Sequence, residues 1–144
     1  MNPFRHLLRS AGSQPPIGTW IMSASPLVAE AVGHAGFDWG LIDMEHAPVD
    51  MMDVLHMLQA VGNTKMVPVL RVPWNDAVVV KRVLDAGAQT VLFPFVQDAG
   101  EAARADGLAG AILGNYHDAE FGDIPKGQAC EMALATAQLM GIGN

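Results

Sequence analysis

Trp39-Gly40-Leu41-Ile42-Asp43-Met44-Glu45-His46-Ala47-Pro48 is the stretch that decides the fold prediction. Its apolar beginning, residues 39–42, predicts a short buried strand. Two carboxylates and an imidazole follow at once, at the carboxyl end of that strand, where parallel α/β proteins place binding and catalytic groups. An Asp-x-Glu-His cluster at such a position suits metal binding or proton transfer. The alternative is that these polar residues only mark where the strand meets solvent.

Working outward from this strand, strands and helices alternate at a spacing of about 25 residues, which is typical of βα units. Strands are predicted at 17–22, 39–43, 66–72 and 90–96. Helices are predicted at 3–11, 27–34 after an N-cap at Ser25, 50–61, from a cap at Asn75 to Gly87, and from Asp98 onward. The pattern predicts an α/β fold with a parallel sheet, either doubly wound or part of a (β/α)8 barrel. A complete barrel takes roughly 250 residues, so 144 residues supply about half of one.

Composition limits the class of protein. A hydrophobic fraction of 51% with 16% charged residues predicts a folded chain, which we expect to be a single domain over residues 1–144. The net charge of −7 argues against nucleic acid or an anionic membrane as a partner. The lone Cys130 and the absence of a long apolar segment favour a cytoplasmic protein. No glycine-rich phosphate loop follows the first strand, which counts against a flavodoxin-like nucleotide-binding domain.

The pattern weakens beyond Gly100. A short strand is predicted at 108–113, a polar loop at 115–127 and a helix at 128–140. The acidic and histidine-containing residues 117–123 match no metal-ligand spacing, so a solvated loop is the better interpretation for them.

Several predicted strands deliver a polar or aromatic group to one edge of the sheet. Trp20 lies in the first, His46 follows the second, Arg71 is near the end of the third and Gln97 ends the fourth. An arginine within an apolar strand requires an anionic partner. Its planar fork suits the carboxylate of a substrate. A structural ion pair with Asp43 or Glu45 explains it equally well.

Eight segments together resemble the HpcH/HpaI aldolases, which are related to the citrate lyase β subunits. The resemblance covers roughly residues 15–100. The segments are Gly18-Thr19-Trp20, Ser25-Pro26-Leu27-Val28-Ala29-Glu30, Gly36-Phe37-Asp38-Trp39, Asp43-Met44-Glu45-His46, Val69-Leu70-Arg71-Val72-Pro73, Asn75-Asp76, Leu84-Asp85-Ala86-Gly87-Ala88-Gln89 and Pro94-Phe95-Val96-Gln97.

This resemblance implies a carbon–carbon lyase on a (β/α)8 barrel that cleaves 4-hydroxy-2-oxo acids reversibly to pyruvate and an aldehyde. It implies that His46 is the catalytic base, that Asp85 orients it, and that Arg71 holds the pyruvate carboxylate and carbonyl oxygen. Trp20 and Gln97 are expected to line the substrate pocket. The resemblance also implies a divalent cation, Mg²⁺, Mn²⁺ or Co²⁺, that stabilises the enolate.

Residues 101–144 depart from the family pattern, because the expected later metal ligands have no recognisable counterpart. We therefore expect the first half of such an aldolase, a (β/α)4 portion at 15–100, joined to a divergent segment at 101–144. The metal ligands are not identifiable from the sequence. The alternative function is a catalytically inactive half-barrel that binds a keto acid or serves as an interaction module. Open strand edges of a half-barrel predict a homo-oligomer.

Overall fold

A computed structural model describes residues 2–105. The elements follow the predicted alternation of helices and strands. They are α1 (Pro3–Ser10), β1 (Gly18–Ile21), α2 (Pro26–His34), β2 (Trp39–Asp43), α3 (Met51–Val61), β3 (Val67–Arg71), α4 (Ala77–Asp85) and β4 (Val91–Leu92). Residues 99–105 are helical as well. The strand predicted at 108–113, the loop at 115–127 and the helix at 128–140 lie outside the described residues.

The four strands form one parallel sheet in the order β1-β2-β3-β4. Each strand pairs with the strand before it in the chain. In a doubly wound sheet the strand order reverses at a switch point, whereas in a (β/α)8 barrel successive strands are neighbours all the way round. The observed order therefore selects the barrel arrangement, and the sheet corresponds to about half of one.

Most helix starts follow from local sequence. Ser25 Oγ accepts a hydrogen bond from the backbone N–H of Val28, and Asp50 forms a capping box with Asp53 at the start of α3. The prediction that Asn75 caps the next helix is wrong. Asp76 is the N-cap of α4, because its carboxylate accepts from two backbone N–H groups of the first turn.

The fourth strand is much shorter than the predicted 90–96, since only Val91–Leu92 pairs with β3. Pro94 has no N–H to donate to a neighbouring strand. Phe95 adopts a left-handed backbone with φ +57°, which no regular strand contains. Hydrophobicity over residues 90–96 was sufficient to suggest a strand, but these two residues end it.

Alternation along the strands separates a core face from a site face. Ile21, Ile42 and Leu70 are paired across neighbouring strands and belong to the hydrophobic core. That core includes residues of the covering helices, namely Ala29, Val54, Met57, Val61 and Val83. Because successive strand residues point to opposite faces, Trp20 and Arg71 project from the face that the helices do not cover. Within residues 2–105, no helix is long and apolar enough to cross a membrane.

Candidate active site

Arg71 and Asp43 form the centre of the site. They are partners in the register between β2 and β3. Arg71 donates from Nε to Asp43 Oδ1 at 2.9 Å and from Nη2 to Oδ2 at 2.7 Å, which is a bidentate contact. The Asp43 side chain is fully buried and that of Arg71 is 15% exposed. A pair held at this distance by strand register has little freedom to separate.

Hydrogen bonds keep both members of this pair ionised. Burial alone would raise the pKa of the Asp43 carboxyl. The hydrogen bond from Arg71, the backbone N–H groups of Glu45 and His46, and the positive charge of Arg71 outweigh burial, so the pKa lies below its ordinary value. The same hydrogen bond to Asp43 raises the pKa of Arg71 against the opposing effect of burial. The guanidinium therefore stays charged at neutral pH.

Trp20 covers one face of the guanidinium. The Cζ atom of Arg71 lies 4.5 Å from the centre of the Trp20 ring, within the range of a cation–π contact. Trp20 is 49% exposed although it lies in a strand. The ring thus forms a partly open wall next to the charged group, at the position where the sequence predicts a pocket-lining residue.

Glu45 links Arg71 to His46. Glu45 Oε2 lies 2.8 Å from Arg71 Nη1, and Glu45 Oε1 lies 3.5 Å from His46 Nε2. The backbone N–H groups of Glu45 and His46 both donate to Asp43 Oδ1, at 2.9 and 3.4 Å. The chain after β2 is therefore folded back on the Asp43 carboxylate. His46 is 65% exposed, so its imidazole is open to a ligand.

Asp85 and Gln97 are the two other residues that the sequence predicts for the site. Asp85 is the last residue of α4. A helix that follows a parallel strand returns the chain to the beginning of the next strand, so Asp85 and His46 belong to opposite edges of the sheet in a single chain. The orienting role of Asp85 stays a prediction. Gln97 is exposed, five residues beyond β4, and its backbone N–H donates to Glu101 Oε2 at 2.8 Å.

The described residues do not make a metal site. Among residues 2–105, no group of three or more His, Cys, Asp or Glu side chains is arranged to hold a metal ion. The carboxylates of Asp43 and Glu45 both face Arg71, at 2.7 and 2.8 Å. The divalent cation that the family resemblance implies therefore does not fit residues 2–105 by themselves.

Glu45 is the residue whose position the sequence did not define. The sequence left open whether Arg71 pairs with Asp43 or with Glu45, and the structure shows both contacts. An acidic residue two positions after a strand-terminal aspartate is a weak signal. Its importance comes from the turn that brings it back over the sheet edge.

Comparison with known proteins places the chain in a family. The model of the HpcH/HpaI aldolase/citrate lyase family matches residues 16–142, and so extends past residue 100 into the segment expected to diverge. A 2-dehydro-3,6-dideoxy-6-sulfogluconate aldolase from Pseudomonas putida is 54% identical over 90 residues, which are 62% of this chain and 35% of that protein. A hydroxypyruvate/pyruvate aldolase from Paraburkholderia phytofirmans is 47% identical over 120 residues, covering 78% of this chain and 45% of that protein.

A crystal structure of a family protein from Burkholderia cenocepacia superposes with a TM-score of 0.72 at 37% identity. The match covers 97% of this chain and 55% of the Burkholderia chain. The chain thus spans roughly a third to a half of the length of the curated relatives above, from 35% to 45%. On the family model and these relatives, the chain belongs to the HpcH/HpaI aldolase/citrate lyase family.

Proposed function

We propose that this chain carries the 2-oxo acid-binding and proton-transfer part of an aldolase that reversibly cleaves 4-hydroxy-2-oxo acids to pyruvate and an aldehyde. The observation that carries the proposal is the meeting of Arg71 and His46 at one carboxylate, that of Glu45, at the carboxyl edge of the sheet. An anion-binding group and an exposed imidazole in one place suit a small keto acid. The relatives described above are named as aldolases.

In this proposal Arg71 binds and His46 moves protons. Arg71 engages the substrate carboxylate through the N–H groups that Asp43 does not use, with Trp20 and Gln97 lining the pocket. For synthesis, His46 takes a proton from the pyruvate methyl group and leaves an enolate. The enolate carbon then bonds to the aldehyde carbon, and the protonated His46 gives its proton to the aldehyde oxygen, which becomes the hydroxyl. Cleavage runs the same steps in reverse, and His46 returns the proton to the methyl carbon.

We assign no step to a divalent cation, because residues 2–105 lack a ligand set for one. Family resemblance implies Mg²⁺, Mn²⁺ or Co²⁺, and in this proposal its ligands lie outside the described residues. Each cation should therefore be added in turn when exchange is measured.

A non-catalytic half-barrel that binds a keto acid or another protein is the second candidate. The observation that favours it is that Arg71 already contacts two carboxylates, as a purely structural arginine would. Binding without turnover is the property that separates this candidate from the first.

We also propose that the protein is a cytoplasmic homo-oligomer. β1 and β4 are the outer strands of the sheet that residues 2–105 form, and unpaired strand edges favour association. Trp74 and Phe95, both more than half exposed, add apolar surface near the carboxyl edge. Light scattering of the full chain tests this, and a folded monomer at micromolar concentration would argue against it.

Exchange of the pyruvate methyl protons with deuterated water tests the proposed chemistry without an aldehyde. Proton NMR follows the loss of the methyl signal, with and without each cation. We expect His46→Ala to slow exchange ~10²–10⁴-fold, the usual contribution of a positioned acid–base group. His34→Ala, which removes another exposed histidine, is the matched control and should exchange like the parent. Equal rates for His46→Ala and the parent would remove His46 from the mechanism.

Binding of pyruvate, measured by calorimetry, separates the two candidates. Arg71→Lys keeps the charge but loses the planar fork, so it should weaken binding roughly 10- to 100-fold. A parent that binds pyruvate but shows no exchange with any cation would favour the keto-acid-binding half-barrel.

A further inference from the structure

We propose that Glu45 is a positioning residue for His46. In the free protein its carboxylate occupies the end of the Arg71 guanidinium that binds the substrate. When a 2-oxo acid binds there, the Glu45 carboxylate turns toward His46. This inference rests on the function proposed above. It assigns to Glu45 a role in coupling anion binding at Arg71 to the placement of the imidazole.

The donors of Arg71 show which end of the guanidinium a substrate must use. The group has five N–H donors in a fixed plane. Asp43 accepts from Nε and from one hydrogen of Nη2, so it occupies the side edge. Trp20 covers one face at 4.5 Å. The end formed by Nη1 and the remaining hydrogen of Nη2 is the only edge left for a bidentate carboxylate.

Glu45 already lies at that end. Its Oε2 is 2.8 Å from Arg71 Nη1. A substrate carboxylate that binds both Nη1 and Nη2 must therefore displace Glu45, since two carboxylates cannot share this end without strong repulsion. Glu45 behaves as a resident competitor for the anion site.

The Glu45 contact is built to be released more easily than the Asp43 contact. Glu45 Oε2 is buried but accepts no hydrogen bond, because the 2.8 Å approach to Arg71 lacks hydrogen-bond geometry. The burial of this oxygen is compensated by the charge of Arg71 but by no hydrogen bond. Asp43, in contrast, accepts two well-formed bonds from Arg71. Displacing Glu45 therefore loses one ion-pair contact, whereas displacing Asp43 would lose two charged hydrogen bonds.

His46 is the adjacent destination for the displaced carboxylate. Glu45 Oε1 lies 3.5 Å from His46 Nε2, slightly too far for a good hydrogen bond. The backbone N–H of Glu45 is held by Asp43 Oδ1 at 2.9 Å, so the side chain can turn while the main chain stays in place. A carboxylate against the imidazole would orient the ring and attract the positive charge that His46 gains when it accepts the substrate proton.

Glu45→Gln tests the inference, because the amide keeps the shape but not the charge. We expect pyruvate to bind roughly tenfold more tightly, the effect of removing one charged competitor from Arg71. We expect methyl-proton exchange at saturating pyruvate to slow on the order of tenfold, part of the effect of losing His46 itself. A loss of structure would weaken binding and slow exchange together, so opposite changes in the two quantities identify the coupling role.

Two further variants complete the experiment. Glu45→Ala removes the side chain altogether and should shift both quantities in the same directions as Glu45→Gln. Glu30→Gln removes one negative charge from α2, away from the site, and should leave both quantities as in the parent. Circular dichroism of each variant establishes that it is folded.

The outcomes separate this inference from the proposed function. If the parent binds and exchanges pyruvate while neither Glu45 variant binds more tightly, the inference is overturned and the proposed function stands. If the parent binds no pyruvate but Glu45→Gln does, the resident competitor is established directly. If none of these proteins binds pyruvate, the inference and the proposed function are both overturned.

Discussion

Replacement of Arg71 by methionine is the perturbation whose effect on stability follows most directly from the structure. Methionine replaces the aliphatic part of the arginine side chain but has no charge and no N–H donors. Arg71→Met leaves the fully buried Asp43 carboxylate without its two side-chain hydrogen bonds of 2.9 and 2.7 Å. It also removes the cation–π contact with Trp20.

The expected loss in the free energy of unfolding is about 3 kcal/mol at neutral pH, since breaking a buried ion pair by removing one partner costs roughly 3–5 kcal/mol. The lower end applies because the backbone N–H groups of Glu45 and His46 still donate to Asp43 Oδ1. Adding Asp43→Asn to Arg71→Met should recover part of the loss, because the fully buried charge of Asp43 is then no longer left without Arg71.

The pH dependence has a defined sign. Arg71 helps to hold the pKa of Asp43 below its ordinary value of 3.8. A carboxyl group whose folded pKa is depressed stabilises the protein above its unfolded pKa, and this stabilisation is lost as the pH falls through the folded pKa. The difference in the free energy of unfolding between the parent and Arg71→Met, the stability gap, should therefore have its full value at neutral pH. It should decrease as the pH falls below 3.8.

Urea unfolding followed by circular dichroism measures this gap at neutral pH and at the lowest pH at which the parent stays folded. Arg82→Met is the matched control, because Arg82 is an exposed arginine on α4. Its effect should stay within about 0.5 kcal/mol, as is usual for exposed positions. A gap for Arg71→Met below about 1 kcal/mol at neutral pH, or one that does not narrow in acid, would refute the buried-pair argument.

Three other predictions concern single positions. Asp50→Ala should lower the urea midpoint of unfolding, because it removes the capping box of α3. Backbone hydrogen bonds lower the pKa of Asp50, so the difference in midpoint should decrease below pH 3.8. An unchanged midpoint at neutral pH would contradict the capping role. Gly33→Ala should destabilise by roughly 1–3 kcal/mol in urea unfolding, because an added Cβ would lie 2.6 Å from side-chain atoms of Thr64. If Asp85 orients His46, Asp85→Asn should slow pyruvate exchange less than His46→Ala does, and an unchanged rate would exclude Asp85 from the site.

Local patterns in the sequence were sufficient for the order of elements and for most of their ends. The helix cap at Ser25 was predicted, because a cap depends on a side chain and the next three residues. Asp50 was expected to be the first residue of its helix, and the structure makes it the N-cap. Asp43 at the end of β2 was predictable because an apolar run ends there. Choosing Asn75 instead of Asp76 shows the limit of such patterns, since both residue types cap helices well and only the backbone path selects between them.

The strand order and the ion-pair network were decided by the tertiary structure alone. A repeated βα pattern is common to barrels and doubly wound sheets, and only the pairing of each strand with its predecessor separates them. Arg71 and Asp43 are 28 residues apart and meet through the register of β2 and β3. The direction of α4 likewise places Asp85 near the amino ends of the strands, away from the carboxyl ends where His46 lies. Contacts between residues far apart in sequence depend on how the elements assemble, so the sequence predicted that Arg71 needs an anion but not that two carboxylates would share it.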